Sequence, residues 1–366
     1  MIRVAANLAW LVPGRVGGSE EYTIRLLSAV IAAAPADIDL RVIGAPALFA
    51  AHPGLRAAEC VTLRGPQTMR PWRIASESTI VHRATRDADV VHHFGGRVPA
   101  RNHGNDIVTI HDLQPLQMPE NFSAVKRHYL GFVLPRSVRA ARMVLTPSEW
   151  VASTVVELLG ADPADVRPVS STWDAADHIE ANAAEVDGLG DGAVVLYPAV
   201  THPHKRHELL LAAMERLAGL DDDVTLVLTG GTGRAEAAVQ AAIERSPVRV
   251  VRPGRVSAAR LRGLYRQADV LAFPSAYEGF GLPVLEAMRA GVPVVASNAT
   301  ALPEVIGDTG LLVDGADPDR WAEAIVASLH GGADVEARVA RARARAEHWS
   351  PKAAAERLID AWRAVS

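Results

Sequence analysis

The chain has 366 residues, of which 49% are hydrophobic, and this length predicts two domains rather than a single core. Its 38 Lys and Arg residues nearly balance 42 Asp and Glu residues, so the overall charge does not favour a polyanion such as nucleic acid. A single cysteine, Cys60, excludes an internal disulfide and a cysteine-rich zinc site, and it indicates a reducing, cytoplasmic setting. The sequence has no run of about 18 apolar residues and no signal-like start, so we expect a protein that is soluble or at most peripheral to a membrane.

Short β-rich runs alternate with helical stretches, and this alternation predicts parallel sheets that are covered on both faces. The pattern occurs twice along the chain. We therefore predict an α/β fold of two doubly wound domains facing a central cleft, with ligands beyond the carboxyl ends of the strands. The predicted strands are IRVAANL, DVVHHF, DIVTIHD and MVLTPS in the first set, and AVVLYP, VTLVLTG, VRVVRPG, DVLAFPS, PVVAS and GLLVD in the second.

Composition and capping signals predict the domain boundaries. The stretch DAADHIEANAAEVDGLGDG is polar and lacks a sustained apolar face, which is typical of a domain end followed by a linker. Near the end of the chain, Ser350 and Pro351 are suited to the N-cap and first position of a last helix. We predict an N-terminal domain at 1–175, a linker at 176–192, a C-terminal domain at 193–345, and a terminal helix at 346–366 that crosses back to the N-terminal domain.

The stretch EGFGLPVLEAM predicts a ligand site. It places Glu278 in a loop after a predicted strand and Glu286 one turn into a helix that Pro283 opens and Gly291 ends. The glycines between the acids can bring backbone amides to the helix N-terminus, where the amides and the helix dipole favour an anion such as a diphosphate. Carboxylates beside an anion are explained if the ligand also carries hydroxyl groups, because a carboxylate accepts several O–H bonds. A ligand with a sugar, a ribose and a diphosphate between them is a nucleotide sugar.

With this stretch the sequence strongly resembles the retaining glycosyltransferases of the GT-B fold, in particular glycosyltransferase family 4. The resemblance covers nearly the whole chain, because companion motifs occur in the order that the family shows. It implies two Rossmann-like domains, a nucleotide-sugar donor held by the C-terminal one and an acceptor received by the N-terminal one. The companion motifs are GGSEEYTIRLL, TIHDL, LTPSEW, YPAVTHPHKRHELLLAA, LVLTGG, VRPGRVSAARLRGLYRQADV and ALPEVIGDTGLLVD.

The resemblance assigns roles to the two acids and to the loop between them. It implies that Glu286 holds the ribose hydroxyls and that Glu278 contacts the transferred sugar. Val256, in the GRVS stretch, would contact the base through its backbone. Because no side chain makes this contact, the sequence does not identify the base. The loop residues that we expect to contact phosphate and sugar oxygens of the donor are Gly279, Phe280, Gly281 and Leu282.

Lys205 matches the family lysine that binds the donor diphosphate. A cation at this position would stabilise the charge that develops as the nucleotide leaves. Many family members carry an arginine six positions earlier, where this chain has Ala199. The diphosphate is therefore bound either by Lys205 alone or with the help of Arg206 or His204, and a solvated surface cluster is the alternative reading of HKRH.

In the N-terminal part, a glycine pair and a histidine are the predicted site residues. Gly17 and Gly18 follow the first strand, with Ser19 as the predicted N-cap of the next helix. By resemblance this loop lies against the donor phosphates or the acceptor, and His111, at a strand end, contacts the donor sugar near the reacting carbon. A lone histidine is otherwise more often structural. The residues that we expect on the buried side of the helix are Tyr22, Leu26, Leu27 and Val30.

Neither a metal nor another cofactor is expected. The acidic runs DAD at 87–89 and DDD at 221–223 precede strands, where aspartate serves turns and helix ends. The resemblance to GT-B enzymes implies that the diphosphate binds without a metal. The basic and apolar segments MRPWRIASESTIVHRATR and KRHYLGFVLPRSVRAARMV are either solvated helices of the acceptor domain or a contact with anionic lipid at the inner face of a membrane.

The function that the sequence favours is a retaining glycosyltransferase that moves a hexose from a nucleotide diphosphate to a hydroxyl of a glycan, glycolipid or small molecule. The form PHKRH is similar to that of relatives that build surface polysaccharides, often from GDP-mannose. The base is left open among GDP, UDP, ADP and TDP. Two alternatives remain: a GT-B enzyme that is not a sugar transferase, such as an epimerase or a pseudo-glycosyltransferase, and a silent nucleotide-sugar-binding partner.

Overall fold

The computed structural model describes residues 1–66, 68–173, 188–218 and 224–366. The chain divides into two units. The first is Met1–Asp174 together with Trp349–Ser366, and the second is Ala175–His348. Up to residue 187, the predicted linker at 176–192 lies outside the described residues, and so does the DDD run at 221–223.

The first unit is built around a parallel sheet whose strands run in the order β3-β2-β1-β4-β5-β6-β7. All residues of β4, β5 and β6 are buried, which is the burial expected of a parallel sheet covered on both faces. The strands are β1 (Ile2–Asn7), β2 (Ile38–Gly44), β3 (Glu59–Thr62), β4 (Val90–His93), β5 (Asp106–Thr109), β6 (Met143–Thr146) and β7 (Val166–Pro168).

Helices connect these strands on both sides of the sheet. The ends of several helices follow from local capping: the Ser148 side chain accepts a hydrogen bond from the amide of Val151, and Gly160 ends the same helix in the left-handed region. A π-helical turn, Glu77–Val81, separates two of the helices. The helices are α1 (Gly18–Ala33), α2 (Pro46–Ala51), α3 (Arg70–Ser76), α4 (His82–Ala84), α5 (Gln114–Gln117), α6 (Ala124–Ala140) and α7 (Glu149–Leu159), with 3-10 turns at Pro53–Ala57, Pro119–Asn121 and Pro163–Asp165.

The second unit repeats the architecture, with strands in the order β10-β9-β8-β11-β12-β13. These strands also pair in parallel. The strands are β8 (Ala193–Pro198), β9 (Val224–Thr229), β10 (Arg249–Gly254), β11 (Val270–Phe273), β12 (Val294–Ser297) and β13 (Leu311–Val313). The helices are α8 (His207–Ala218), α9 (Glu236–Arg245), α10 (Ala258–Gln267), α11 (Leu282–Ala290), α12 (Leu302–Ile306), α13 (Pro318–His330) and α14 (Gly332–Ala346), with 3-10 turns at Pro203–Lys205 and Glu347–Trp349.

Both sheets have a point where the strand order reverses. It lies between β1 and β4 in the first unit and between β8 and β11 in the second. In doubly wound sheets, ligands bind beyond the carboxyl ends of the strands at such a point. The prediction of two doubly wound α/β units is confirmed, and each unit offers one such position for a ligand.

The last helix, α15 (Pro351–Val365), belongs to the first unit and packs against α1. Its N-cap is Ser350, as predicted. Trp362 of this helix is completely buried, and its Nε1–H donates to Nδ1 of His92 in β4 over 3.2 Å. Because Nδ1 of His92 accepts, its Nε2–H is the atom that donates to the Thr109 hydroxyl, at 2.8 Å. The first unit is therefore completed by the far end of the chain.

Some local predictions were wrong by one or two residues. Helix α1 begins at Gly18, and its N-cap is Gly17 rather than Ser19. Gly17 has a φ of 64°, a value that glycine adopts without strain, so the chain enters the helix earlier than the serine suggested. The predicted buried side of α1 is confirmed. Pro283 is the second residue of α11, because that helix begins at Leu282.

Two acids of the DAD run form ion pairs with arginines of the sheet, rather than the turn or helix-end contacts that were predicted. Asp87 pairs with Arg41 at 2.7 Å, and Asp89 pairs with Arg3 at 3.4 Å. These ion pairs join β1 and β2 to the segment before β4.

Helix α6 contains most of the segment KRHYLGFVLPRSVRAARMV, one of the two for which a membrane contact was considered. It contains no acidic residue, and the side chains of Val125 and Phe132 are 78% and 70% exposed. Within the ranges given above, the structure has no helix with the length and apolar content that a membrane crossing requires. The contact with a lipid surface stays a prediction.

Candidate active site

The strand reversal in the second unit brings together the loops that follow β8 and β11. Lys205 lies in the 3-10 turn after β8, and Glu278 lies in the loop after β11, 73 positions later. The Nζ of Lys205 forms an ion pair with the carboxylate of Glu278. Their side chains are only 17% and 13% exposed. Two residues that the sequence singled out separately are thus in direct contact.

Further contacts hold the loop that carries Lys205. The backbone carbonyl of Lys205 accepts a hydrogen bond from the Tyr197 hydroxyl at 2.6 Å. Its Nζ lies 5.6 Å from the centroid of the Phe273 ring, a cation–π distance. The amide of Ala276 donates to the carbonyl of His204 at 2.7 Å, which joins the two loops. The ammonium group is therefore held between a carboxylate and an aromatic face.

Strained backbone flanks the ion pair on both sides. Outside glycine, the described residues with positive φ are Ala34, Arg206 and Thr300. Arg206 follows Lys205, and the Thr300 hydroxyl accepts a hydrogen bond from the amide of Glu278 at 3.0 Å. Left-handed backbone in a residue with a side chain costs about 1–2 kcal/mol, and such residues cluster at functional sites. The strain here lies next to the predicted catalytic residues.

The N-terminus of α11 has no side-chain cap. Its N-cap is Gly281, with a φ of 104°, and this residue has no side chain to accept a hydrogen bond from the first turn. The first turn also contains no acidic residue, so the positive end of the helix dipole is not complemented from within. A Cβ on Gly281 would lie 2.7 Å from Cδ2 of Leu302, which explains a glycine here together with the positive φ. This geometry suits a phosphate group.

Glu286 points its carboxylate toward α10. Its Oε2 accepts a hydrogen bond from the hydroxyl of Tyr265 at 2.8 Å. Tyr265 is 4% exposed and also lies 3.2 Å from the carbonyl of Pro283. Val256 lies in the loop before α10, whose N-cap is Ser257. Helix α10 therefore connects the predicted base contact with the predicted ribose carboxylate, and the role of Tyr265 was not predicted from the sequence.

A second network, also missed from the sequence, fixes the loop between β8 and Lys205. The Thr201 hydroxyl donates to Glu236 at 2.6 Å and accepts from the amide of Gly233 at 2.7 Å. Arg252 binds both oxygens of Glu236, at 3.0 and 3.2 Å. Hydrogen bonds from Arg252 and Thr201 hold the pKa of Glu236 below its usual value. The backbones approach so closely that a Cβ on Gly233 would lie 2.4 Å from the carbonyl oxygen of Thr201.

The predicted residues of the first unit lie near one another as well. His111 follows β5, and its Nε2–H donates to the carbonyl of Phe94 at 2.7 Å. The edge of the Tyr22 ring meets its imidazole at a centroid distance of 5.0 Å. Tyr22 belongs to α1, which Gly17 and Gly18 open, and both glycines are exposed. The contact through Tyr22 places the glycine pair and His111 on neighbouring elements.

Comparison with known proteins identifies the family. Residues 192–330 match the family described as glycosyl transferases group 1. Over 269 residues, the chain is 32% identical to the O-antigen chain mannosyltransferase B of Escherichia coli, and the match covers 70% of each chain. The chain belongs to the group 1 glycosyltransferases. A further relative of this glycosyltransferase is an O-antigen chain mannosyltransferase of Salmonella typhimurium, 28% identical over 222 residues and 60% of each chain.

The fold of this glycosyltransferase is that of known relatives. The Anabaena protein HepE, solved in complex with UDP and glucose, matches over the full length of both chains with a TM-score of 0.75 and 17% identity. This likeness confirms the predicted GT-B fold, and the family match with the 32% identical mannosyltransferase confirms the predicted resemblance to family 4. The roles given to individual residues are not tested by these similarities and stay predictions.

His204 and His207 lie on either side of Lys205 and Arg206 in this glycosyltransferase, and both histidines are neutral at neutral pH. Burial, with the adjacent Lys205 as a smaller cause, lowers the pKa of His204 to about 3. Burial likewise lowers the pKa of His207 to about 4. A neutral imidazole supplies no net charge to a diphosphate, so the geometry does not favour His204 as the second cation.

His111 is neutral for the same reason. Burial lowers its pKa to about 4, although the hydrogen bond to the Phe94 carbonyl opposes this shift. Because Nε2 carries the donated hydrogen, Nδ1 is the unprotonated nitrogen. His111 can therefore accept a hydrogen bond at Nδ1, and it carries no charge at neutral pH.

We expect the stability of the first unit to fall on acidification, in part through His111. In the unfolded chain this histidine binds a proton near its ordinary pKa of about 6.5, whereas in the folded protein it binds one only near pH 4. The contribution of His111 to the free energy of unfolding is therefore fully present above pH 6.5. It is lost as the pH falls toward 4, by at most about 1.4 kcal/mol per pH unit for this one group. Replacing His111→Gln, which retains a donor for Phe94, should make this pH dependence shallower. The check is denaturant unfolding at pH 7, 5.5 and 4.5, and an unchanged slope would contradict the assignment.

Across the described ranges, no three His, Cys, Asp or Glu side chains lie together in a group that could hold a metal ion. The expectation that the donor binds without a metal stays a prediction.

Proposed function

We propose that this glycosyltransferase is a retaining, metal-independent hexosyltransferase that takes a sugar from a nucleoside diphosphate and attaches it to an acceptor hydroxyl. The observation that carries the proposal is the contact of Lys205 with Glu278 beside the open N-terminus of α11. A cation and a helix N-terminus suit a diphosphate, and a carboxylate suits sugar hydroxyls. Each of these groups lies at the strand reversal where a doubly wound unit binds its ligand.

The groups divide the donor between them. Lys205 and the amides at the start of α11 would bind the diphosphate and stabilise its charge as the sugar leaves. Glu278 would accept hydrogen bonds from hydroxyls of the sugar. Glu286, whose other side is held by Tyr265, would accept those of the ribose.

Retention of configuration is proposed to occur by front-side attack. The anomeric carbon would gain oxocarbenium character, and a phosphate oxygen of the donor would take the proton of the acceptor hydroxyl. Paired carboxylates form a covalent sugar intermediate in retaining glycosidases. Here the carboxylate of Glu278 is already paired with an ammonium group, and Glu286 is bonded to Tyr265, which supports positioning rather than nucleophilic attack.

The relatives suggest a substrate class. Two of them are named as O-antigen chain mannosyltransferases, which supports mannose as the hexose and a growing surface polysaccharide as the acceptor. HepE, a similar structure of low identity, was solved with UDP and glucose instead. The cytoplasmic location stays a prediction of the sequence.

The experiment is a thermal-shift panel of GDP, UDP, ADP and TDP and their sugars in buffer containing EDTA. Ligand at a hundredfold excess over its Kd stabilises the folded state by about 2.7 kcal/mol. We expect one nucleotide to stabilise the wild type and to stabilise Glu286→Ala clearly less. Glu323→Ala, an exposed acid on α13, is the matched control and should behave as the wild type.

Each outcome separates the possible functions. A shift by none of the nucleotides in a folded protein would overturn the donor site. A shift followed by release of nucleoside diphosphate without a glycosylated product would favour the epimerase or pseudo-glycosyltransferase reading. Transfer to an acceptor in EDTA would support the full proposal.

A further inference from the structure

Arg206 occupies a backbone position that suits glycine. Its φ and ψ are 51° and 44°, at the junction between the 3-10 turn that ends at Lys205 and the start of α8. Glycine adopts this conformation without steric conflict, whereas any residue with a Cβ is strained there. A long cationic side chain thus occupies a position where a glycine backbone would be less strained.

The charges around Arg206 do not explain it as a structural residue. Lys205 is already paired with Glu278. His204 and His207 are neutral because burial lowers the pKa of each to about 3 and about 4. In the part of the chain that the structure describes, the guanidinium of Arg206 makes neither a hydrogen bond nor an ion pair. The uncompensated positive charge of this turn therefore lies on Arg206.

We infer that the guanidinium of Arg206 is the second cation that binds the donor diphosphate, next to Lys205. A guanidinium binds phosphate oxygens through two parallel N–H groups, a geometry that an ammonium group lacks. Lys205 shares its charge with Glu278, whereas the charge of Arg206 has no partner among the described residues. Strained backbone that persists beside a site is consistent with this role. The inference rests on the proposed function and selects Arg206 over the two other readings, Lys205 alone or His204.

A neighbouring arginine provides the control. Arg234 is exposed on the loop after β9, lies close enough to His204 to contribute to its lowered pKa, and has an ordinary negative φ. If the affinity for the diphosphate comes from positive charge near the site in general, replacing Arg234 should lower it as well. If it comes from a specific contact, only replacing Arg206 should lower it.

The test measures stability and affinity on the same variants. For Arg206→Gly we expect an unfolding midpoint equal to or above that of the wild type, because the strain is relieved. We also expect the Kd for the nucleoside diphosphate chosen in the panel to rise about ten- to hundredfold, the size of one charge-assisted hydrogen bond. The Kd for the matching nucleoside should stay within about twofold. Arg206→Lys, which keeps the charge but loses the two parallel N–H groups, should fall between the wild type and Arg206→Gly, and Arg234→Ala should keep nearly all of the affinity.

Opposite signs of the two effects distinguish the inference from a structural role. An unchanged Kd in Arg206→Gly would overturn it, as would an equal loss in Arg234→Ala. A parallel loss of stability and of affinity for nucleoside and nucleoside diphosphate alike would also overturn it. A different result would show that the proposed function is wrong. In that case Lys205→Met would bind the nucleoside diphosphate as tightly as the wild type does.

Discussion

Replacing Lys205→Met should lower kcat/KM for the donor by about 10²–10³-fold, the usual effect of removing one preorganised charge at the group that departs. The reason is the position of its Nζ, held against Phe273 and paired with Glu278 at the strand reversal. Methionine keeps most of the length and the apolar stem but removes the charge. The assay is release of nucleoside diphosphate from the nucleotide sugar, with an acceptor or with water in its place.

The loss of activity must be separated from a loss of structure. Without Lys205, the carboxylate of Glu278, 13% exposed, has lost its cation, and we expect a destabilisation of about 1–3 kcal/mol. The double variant Lys205→Met with Glu278→Gln removes this unpaired charge and should regain stability, while its activity stays well below that of Glu278→Gln alone. If the double variant were as active as Glu278→Gln alone, Lys205 would be a structural partner of Glu278 and not a catalytic residue.

The positions of the main candidate site residues could be predicted because they follow from the architecture. Lys205 and Glu278 each follow a strand, and the strands β8 and β11 are neighbours at the reversal of the sheet. Glu286 lies one turn into the helix, where the spacing of the motif put it. The contacts that support these residues could not be predicted. Tyr265 and Thr300 reach the acids from other elements of the chain, and no local pattern of residues marks such a contact.

The strands, too, could be predicted only where the local sequence carries a strong apolar signal. Each predicted strand segment contains an observed strand, because buried parallel strands are continuous apolar runs. The predictions omitted β2, β3 and β7. Strands β3 and β7 are short, lie at the edges of the sheet and are only partly buried, so their apolar signal is weak. Strand β2 begins with a partly exposed half that contains charged residues.

Replacing Trp362→Ala should destabilise the first unit by about 3–5 kcal/mol, the usual effect of removing a large buried aromatic side chain. Trp362 is completely buried in the core that α15 forms with α1 and β1. Its loss would also leave Nδ1 of His92 without its donor, in surroundings whose burial already lowers the pKa of that histidine well below its usual value. The check is denaturant unfolding followed by far-UV circular dichroism, in which the transition of the first unit should move to lower denaturant.

Two further variants divide the effect of Trp362 into packing and hydrogen bonding. Trp362→Phe keeps most of the buried ring but removes the Nε1–H, so we expect about 1–3 kcal/mol from the unsatisfied nitrogen of His92. Arg363→Ala, on the exposed side of the same helix, breaks a surface ion pair with Asp37 and should change stability by about 1 kcal/mol or less. A destabilisation by Trp362→Ala no larger than that of Arg363→Ala would mean that α15 contributes little to the first unit in solution. With the expected result, the N-terminal sheet depends for its stability on a helix that the chain adds only after the whole second unit, because that helix completes the core beside α1.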